Sequence, residues 1–109
     1  MLNNLNSIII EGDLIADPIL EKKDAGSPKC TFTVASNRYF KGNDQIEKEV
    51  SYFLVVAHSK LGQICWETAK KGRRLRIIGR LKQYRWTDDE GKDQSQIKVV
   101  AEHVEFKPV

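Results

Sequence analysis

Cysteine, proline and aromatic rings are few in this sequence, and a long apolar run is missing altogether. Two cysteines, Cys30 and Cys65, do not make a disulfide framework. Both sit in apolar patterns, so buried free thiols in a reducing cytoplasm are the expectation. No stretch approaches the roughly 18 apolar residues of a membrane-spanning helix. The opening residues, MLNNLNSIII, lack the basic region and cleavage pattern of a signal peptide. No close Cys or His pair has zinc spacing, and no Gly-rich loop follows a strand in phosphate-binding form. The candidates for chemistry reduce to His58, His103, Cys30 and Cys65. The carboxylates of Asp88-Asp89-Glu90 read as a solvated turn. No catalysis, cofactor or metal site is expected. At 109 residues the chain is expected to form one domain, residues 1–109.

What the chain does have is charge, distributed unevenly. Lys70 to Trp86, KKGRRLRIIGRLKQYRW, holds eight of the eighteen Lys and Arg residues and no acid. The rest carries ten basic and fifteen acidic groups, so it is net −5 and the formal +3 understates a local positive field. In a strand, residues two apart share a face. One face of this segment then shows Leu75, Ile77 and Leu81, which call for a core. The other shows Arg74, Arg76, Arg80, Lys82, Tyr84 and Trp86, with Ile78 out of character. Cations meet phosphates, and flat rings stack on unpaired bases at roughly 1–3 kcal/mol each. Same-face residues about 6.6 Å apart also approach the phosphate repeat of an extended strand. Gly79 marks a place where a bend or bulge could shift this parity. The plainer reading of the segment is a solvated edge strand guarded by its charges.

The remaining pattern is mostly strand. Ser7–Ile15 is β-branched, with Gly12 suggesting a bulge or sharp bend and Asp17-Pro18 ending the run. Glu21–Pro28 reads as a turn region. Cys30, Phe32 and Val34 alternate with Lys29, Thr31 and Thr33 as a half-buried second strand. Phe40–Lys48 is polar and reads as an exposed loop, and Val50–Ala57 as a third strand. Ser59 can cap a helix running to about Lys71, with Leu61, Ile64, Cys65 and Thr68 on one face and Gly72 just past its end. Trp66 falls off that face. Arg73–Trp86 is the fourth strand, Thr87–Asp93 a turn-rich tip, and Gln96–Phe106 the fifth strand, with Ile97, Val99 and Ala101 on one face. Three strands, a helix, then two strands is the order of an all-β OB-fold, a five-stranded Greek-key barrel with one helix between strands 3 and 4.

Several stretches together resemble one family. They are IIIEGDLIADP (Ile8–Pro18), CTFTVASNRY (Cys30–Tyr39), VVAHSKLGQIC (Val55–Cys65), KKGRRLRIIGRLKQYRWTDDEG (Lys70–Gly91) and IKVVAEHVEF (Ile97–Phe106). The Gly-x-Leu-x-x-Asp-Pro opening (Gly12, Leu14, Asp17, Pro18) is specific in combination with Lys71, Gly72, Ile77, Gly79, Leu81, Trp86 and Asp88. The chain is similar in these to bacterial single-stranded DNA-binding proteins. The resemblance implies an OB-fold homotetramer that binds single-stranded DNA with little regard to sequence, in the cytoplasm, during replication, recombination and repair. It implies base-stacking positions at Tyr39, Tyr52, His58 and Trp86. Only Trp86 keeps the family's usual ring, and Leu54 stands where the family often has a cation. The family typically continues past the barrel into a linker and an acidic tip that recruits replication and repair proteins. The residues after Phe106 here, Lys107-Pro108-Val109, carry no acidic side chain.

Alternatives remain at this level. A primosome-type accessory protein or an RNA-binding OB protein would use the same rings, and nothing in the residues themselves selects DNA over RNA. His58 fits both a stacking group and a histidine satisfied at a strand end. Between Tyr52 and Phe53, the outward residue is expected to be Tyr52, because a buried phenol needs a partner. His103 reads as structural.

Overall fold

The computed structural model describes residues 1–22 and 26–108. Six strands and one helix follow in order: β1 (Ile8–Leu14), β2 (Ile19–Lys22), β3 (Pro28–Lys41), β4 (Ile46–His58), α1 (Ser59–Thr68), β5 (Arg74–Thr87) and β6 (Asp93–Phe106). They make one sheet in the order β1-β5-β6-β4-β3-β2, and a β1–β3 pairing closes it. Five strands therefore form the barrel. The short β2 hangs on β3 outside the closure. All pairs are antiparallel except β4–β6.

The core is aliphatic. Leu75, Ile77, Val34, Val55, Val99 and Leu14 are at most 2% exposed, and burying each such side chain contributes about 1.5–3 kcal/mol. The expected alternation in β3 holds, with Cys30, Phe32 and Val34 buried. Cys30 and Cys65 are free and buried. Burial pushes their thiols up to about 11 and about 12 respectively, so both are protonated and inert at neutral pH. No helix among the described residues is long and apolar enough to cross a membrane.

The two halves of the Gly/Asp-Pro and Lys-Gly motif meet at one end of the barrel. The Asp17 carboxylate accepts the Lys71 N–H at 2.8 Å. Gly72 N–H donates to the Leu14 carbonyl at 2.8 Å, and Leu14 N–H to the Arg73 carbonyl at 3.0 Å. Gly72 has φ +87, in the left-handed region where glycine has no Cβ penalty. Gly12 is a different case. A Cβ there would run into the carbonyl of Ala35, where β1 crosses β3 to close the barrel. Gly12 thus serves close backbone approach, and of the expected bulge or sharp bend the bulge is excluded by the unbroken β1–β5 register through it.

Five local expectations change. Ile19–Lys22 is a strand paired with Pro28–Thr31, so the turn region expected over Glu21–Pro28 is the end of a hairpin; residues 23–25 lie outside the described residues. The loop expected over Phe40–Lys48 shrinks to residues 42–45, because β3 and β4 stay paired out to Lys41↔Ile46. Residues there carry no apolar alternation, yet the β3–β4 ladder continues through them. The helix stops at Thr68 rather than Lys71, with Ala69 already extended, and Gly72 belongs to the following turn. Its N-cap is His58, without a side-chain cap bond, and Ser59 sits at φ +57. β4 runs straight into α1 there, so the chain turns through a strained residue instead of a serine cap. The helix buries Gly62 and Cys65, while Ile64 is turned outward at 42% exposure.

Gly79 does lie at an irregularity, but parity along β5 is untouched. Ile78 pairs with His103 and Gly79 with Ala101, so the extra residue is Glu102, on β6. The inward set on β6 consequently changes from Val99 and Ala101 to Val104 and Phe106 across the bulge.

Candidate nucleic-acid interface

Register assigns the faces. Inward residues of β3 fix Lys29, Thr31, Thr33, Ala35, Asn37 and Tyr39 as outward. Their rungs carry the same face to β4: Lys29↔His58, Thr31↔Val56, Thr33↔Leu54, Ala35↔Tyr52 and Tyr39↔Lys48. Val56↔Val100 passes it to β6, and Val100↔Arg80, Lys98↔Lys82, Gln96↔Tyr84 and Gln94↔Trp86 pass it to β5. Tyr39, Tyr52, His58, Arg80, Lys82, Tyr84 and Trp86 therefore share the outer surface of one sheet. Tyr39 and Tyr52 are 63% and 64% exposed and Trp86 is 48% exposed, so each ring offers a free face. Phe53, by contrast, packs against the core, as the phenol argument requires.

Arg74 and Arg76 lie on this outer parity too, but β1 lies beside them. Arg74 Nε is 2.9 Å from Asp13 Oδ1, opposite it in register. Arg76 contacts Glu11 at 2.9 Å and Glu105 at 3.3 Å. The Arg76 hydrogen bond holds the Glu11 carboxyl below the usual carboxylate range. Hydrogen bonding to Asp13 likewise raises the Arg74 guanidinium. Arg80 is at 3.9 Å from Glu102, the bulge residue. Lys82 and Arg85 have no carboxylate within 4 Å among the described residues.

Past the barrel, β5 and β6 continue as a two-stranded arm. Its tip is shaped by Asp88, whose carboxylate accepts N–H groups from Glu90, Lys92 and the Gln94 side chain. The Lys92 amide is the main reason that carboxyl is held low. Trp86 sits at the base of this tip, beside a shallow hollow lined by Arg85, Thr87 and Gln94. Leu81, which shares parity with Leu75 and Ile77, lies outside the barrel and is 40% exposed. Its backbone is clasped instead by the Asn6 side-chain amide, at 2.7 and 3.0 Å.

Lys29, Lys48 and Lys98 belong to this surface and were not among the expected site residues. Lys98 was legible in principle, because Gln96 and Lys98 alternate with Ile97 and the buried Val99. Lys29 and Lys82, with Arg80, surround His58. Partial burial first, then these charges, push its imidazole below its ordinary value. Trp66 is half exposed on α1, and His103 lies at the surface, 3.6 Å from Glu105. Among the described residues no group of His, Cys, Asp and Glu is placed to hold a metal.

A closed barrel in the order β1-β3-β4-β6-β5, with a parallel β4–β6 contact and the helix between its third and fourth strands, is an OB-fold. A solved structure described as Plasmodium falciparum SSB in complex with ssDNA superposes with a TM-score of 0.86 over 99% of both chains, at 17% identity. Residues 5–107 match the model of the single-strand binding protein family, and the chain belongs to that family. It is 35% identical over 101 residues to the single-stranded DNA-binding protein of Aquifex aeolicus, covering 92% of this chain and 68% of that one. It is 31% identical over 104 residues to single-stranded DNA-binding protein 2 of Chlorobaculum tepidum, covering 94% and 70%. It spans 58% of the length of the Treponema pallidum relative, at 31% identity.

Proposed function

We propose that this chain binds single-stranded DNA with little sequence preference and acts as a non-catalytic protector of exposed strands in replication, recombination and repair. The observation that carries the reading is the single outer surface on which Tyr39, Tyr52, His58, Lys82, Tyr84 and Trp86 follow one another by register. Exposed rings at Tyr39, Tyr52 and Trp86 give unpaired bases something to stack on, whatever their identity. The lysines without carboxylate partners attract phosphates, while Arg74 and Arg76, already paired, contribute less. The names of the curated relatives favour DNA over RNA.

A single barrel offers few rings, so several subunits are needed to wrap a strand. We infer a homotetramer, as the family resemblance implies. The edge of β1 that β3 leaves open before Asp13, with Ile9 67% exposed, supports that reading.

The test is a Trp fluorescence titration with a thymidine oligomer, an RNA oligomer and a duplex of equal length, at matched salt. Single-stranded DNA is expected to bind most tightly, with affinity falling as salt rises. Equal affinity for the duplex defeats the reading, and tighter binding of RNA transfers it to an RNA-binding role. Light scattering at micromolar concentration should give four subunits; a dimer would favour the primosome-type accessory role, and a monomer would defeat the assembly.

A further inference from the structure

Lys82 and Lys98 stand directly opposite one another across β5 and β6. Like charges on one rung repel, and no carboxylate lies within 4 Å of either among the described residues. The neighbouring rung toward the tip holds Tyr84. Its ring receives both ammonium groups, Lys82 Nζ at 5.0 Å and Lys98 Nζ at 4.7 Å from the centroid. Two cations gathered at one ring by cation–π attraction is a costly arrangement for the free protein. It is also a different arrangement from Trp86, whose ring no cation covers among the described residues. The Tyr84 phenol oxygen is buried and makes no hydrogen bond among the described groups. The ring is thus half-buried, capped by lysines, and poorly placed to take a base.

We propose that Lys82, Lys98 and the Tyr84 ring form a clamp for one backbone phosphate, in which Tyr84 positions the two lysines and does not stack on a base. The clamp rests on the single-strand-binding reading above. A phosphodiester between the two ammoniums relieves their mutual repulsion and accepts hydrogen bonds from both. Arg80 lies on the same outer surface and adds to the field at this point. Tyr84 is therefore a positioning residue. Its aromatic face holds the cations at a fixed spacing before the strand arrives, which lowers the ordering cost of binding.

The experiment measures the salt dependence of binding to a thymidine oligomer, and to an abasic deoxyribose-phosphate oligomer as a phosphate-only probe. The proteins are wild type, Lys82→Gln, Lys98→Gln, the double variant, Tyr84→Leu and Tyr84→Phe, each checked for folding by circular dichroism. One shared phosphate predicts a slope loss of about 0.7 in the double variant, with smaller losses in each single variant. Tyr84→Leu should lower the slope on both probes although it removes no charge, and Tyr84→Phe should preserve it. Loss of affinity for the thymidine oligomer with an unchanged slope in Tyr84→Leu would make Tyr84 a stacking ring and overturn the clamp. A loss near twice 0.7 in the double variant would mean two separate phosphates and would also overturn it. So would unchanged slopes in all variants. In each of these results wild-type binding persists, so the clamp fails alone. Failure of wild type to bind the thymidine oligomer removes the clamp together with the reading it rests on.

Discussion

The two ends of β5 carry the same kinds of residue and do different work. Between Arg74 and Ile78 the strand is in the barrel, its leucine and isoleucine are sealed, and its arginines face carboxylates from β1 and β6. Between Leu81 and Trp86 it is in the arm, its leucine is 40% exposed, and its cations face solvent or a tyrosine. Charge counted along a sequence is therefore not charge available to a ligand. The number of cations is similar in both ends, but β1 brings Glu11 and Asp13 to only one of them. Surface ion pairs of this kind add little stability. Their larger effect is to cancel a field that would otherwise spread along the whole strand.

This contrast can be pressed in order of effect. Leu75→Ala should cost about 2–5 kcal/mol of folding stability by leaving a cavity in the barrel. Leu81→Ala, at the same parity in the arm, should cost under about 1 kcal/mol. Urea denaturation measures both, and equal losses would abolish the distinction between barrel and arm. Next, Trp86→Ala should weaken oligomer binding by roughly 1–3 kcal/mol without changing the salt slope, because it removes a ring and no charge. Trp66→Ala, on the helix, is the control and should leave affinity unchanged.

Smaller effects test the cancelled charge itself. Arg76→Gln should leave the salt slope nearly unchanged. Glu11→Gln should raise it by less than about 0.7, since Arg76 keeps Glu105 as a partner. If Arg76→Gln lowers the slope as much as a lysine of the arm does, the ion pairs open on binding and the contrast between the two ends fails.

The smallest effect is on pH. The His58 imidazole is held below its ordinary value by partial burial and by Lys29, Lys82 and Arg80, so it is neutral at pH 7. Because its folded value is depressed, its contribution to stability is present above about 6.5 and lost as pH falls through the folded value. A bound polyanion reverses the electrostatic part. Affinity should therefore rise modestly between pH about 7.5 and about 5.5 in wild type, and less in His58→Gln, read by the same fluorescence titration.

Much of the architecture was legible because inward positions alternate cleanly with polar ones. Cys30, Phe32 and Val34, then Leu75 and Ile77, announced barrel strands, and the order of strands around one helix announced the closure. What failed to show had local causes. Ile19–Lys22 is four residues between two turn signals, too short for periodicity to register. The outer halves of β3 and β4 are exposed on both faces, so their ladder leaves no apolar trace. On the outer surface, Trp86 could be placed by parity and Tyr52 by the need of its phenol for a partner. The neutralising partners of Arg74 and Arg76 could not, because Asp13 and Glu11 lie 61 and 65 residues away along the chain. Tyr84 had the right residue type and the right face, yet its surroundings depend on Lys98 from another strand.

Glu102 gives β6 two reading frames. From Val99 to Ala101 the odd positions turn inward, and from Val104 to Phe106 the even ones do, with the single extra residue as the shift between them. Deleting Glu102 would restore one continuous frame without moving either pairing, because Ile78 already faces His103 and Gly79 already faces Ala101. What the deletion removes is the local bend and added twist of a bulge, and with them the carboxylate 3.9 Å from Arg80. The extra residue thus governs the curvature of the ribbon, not which side chains turn inward.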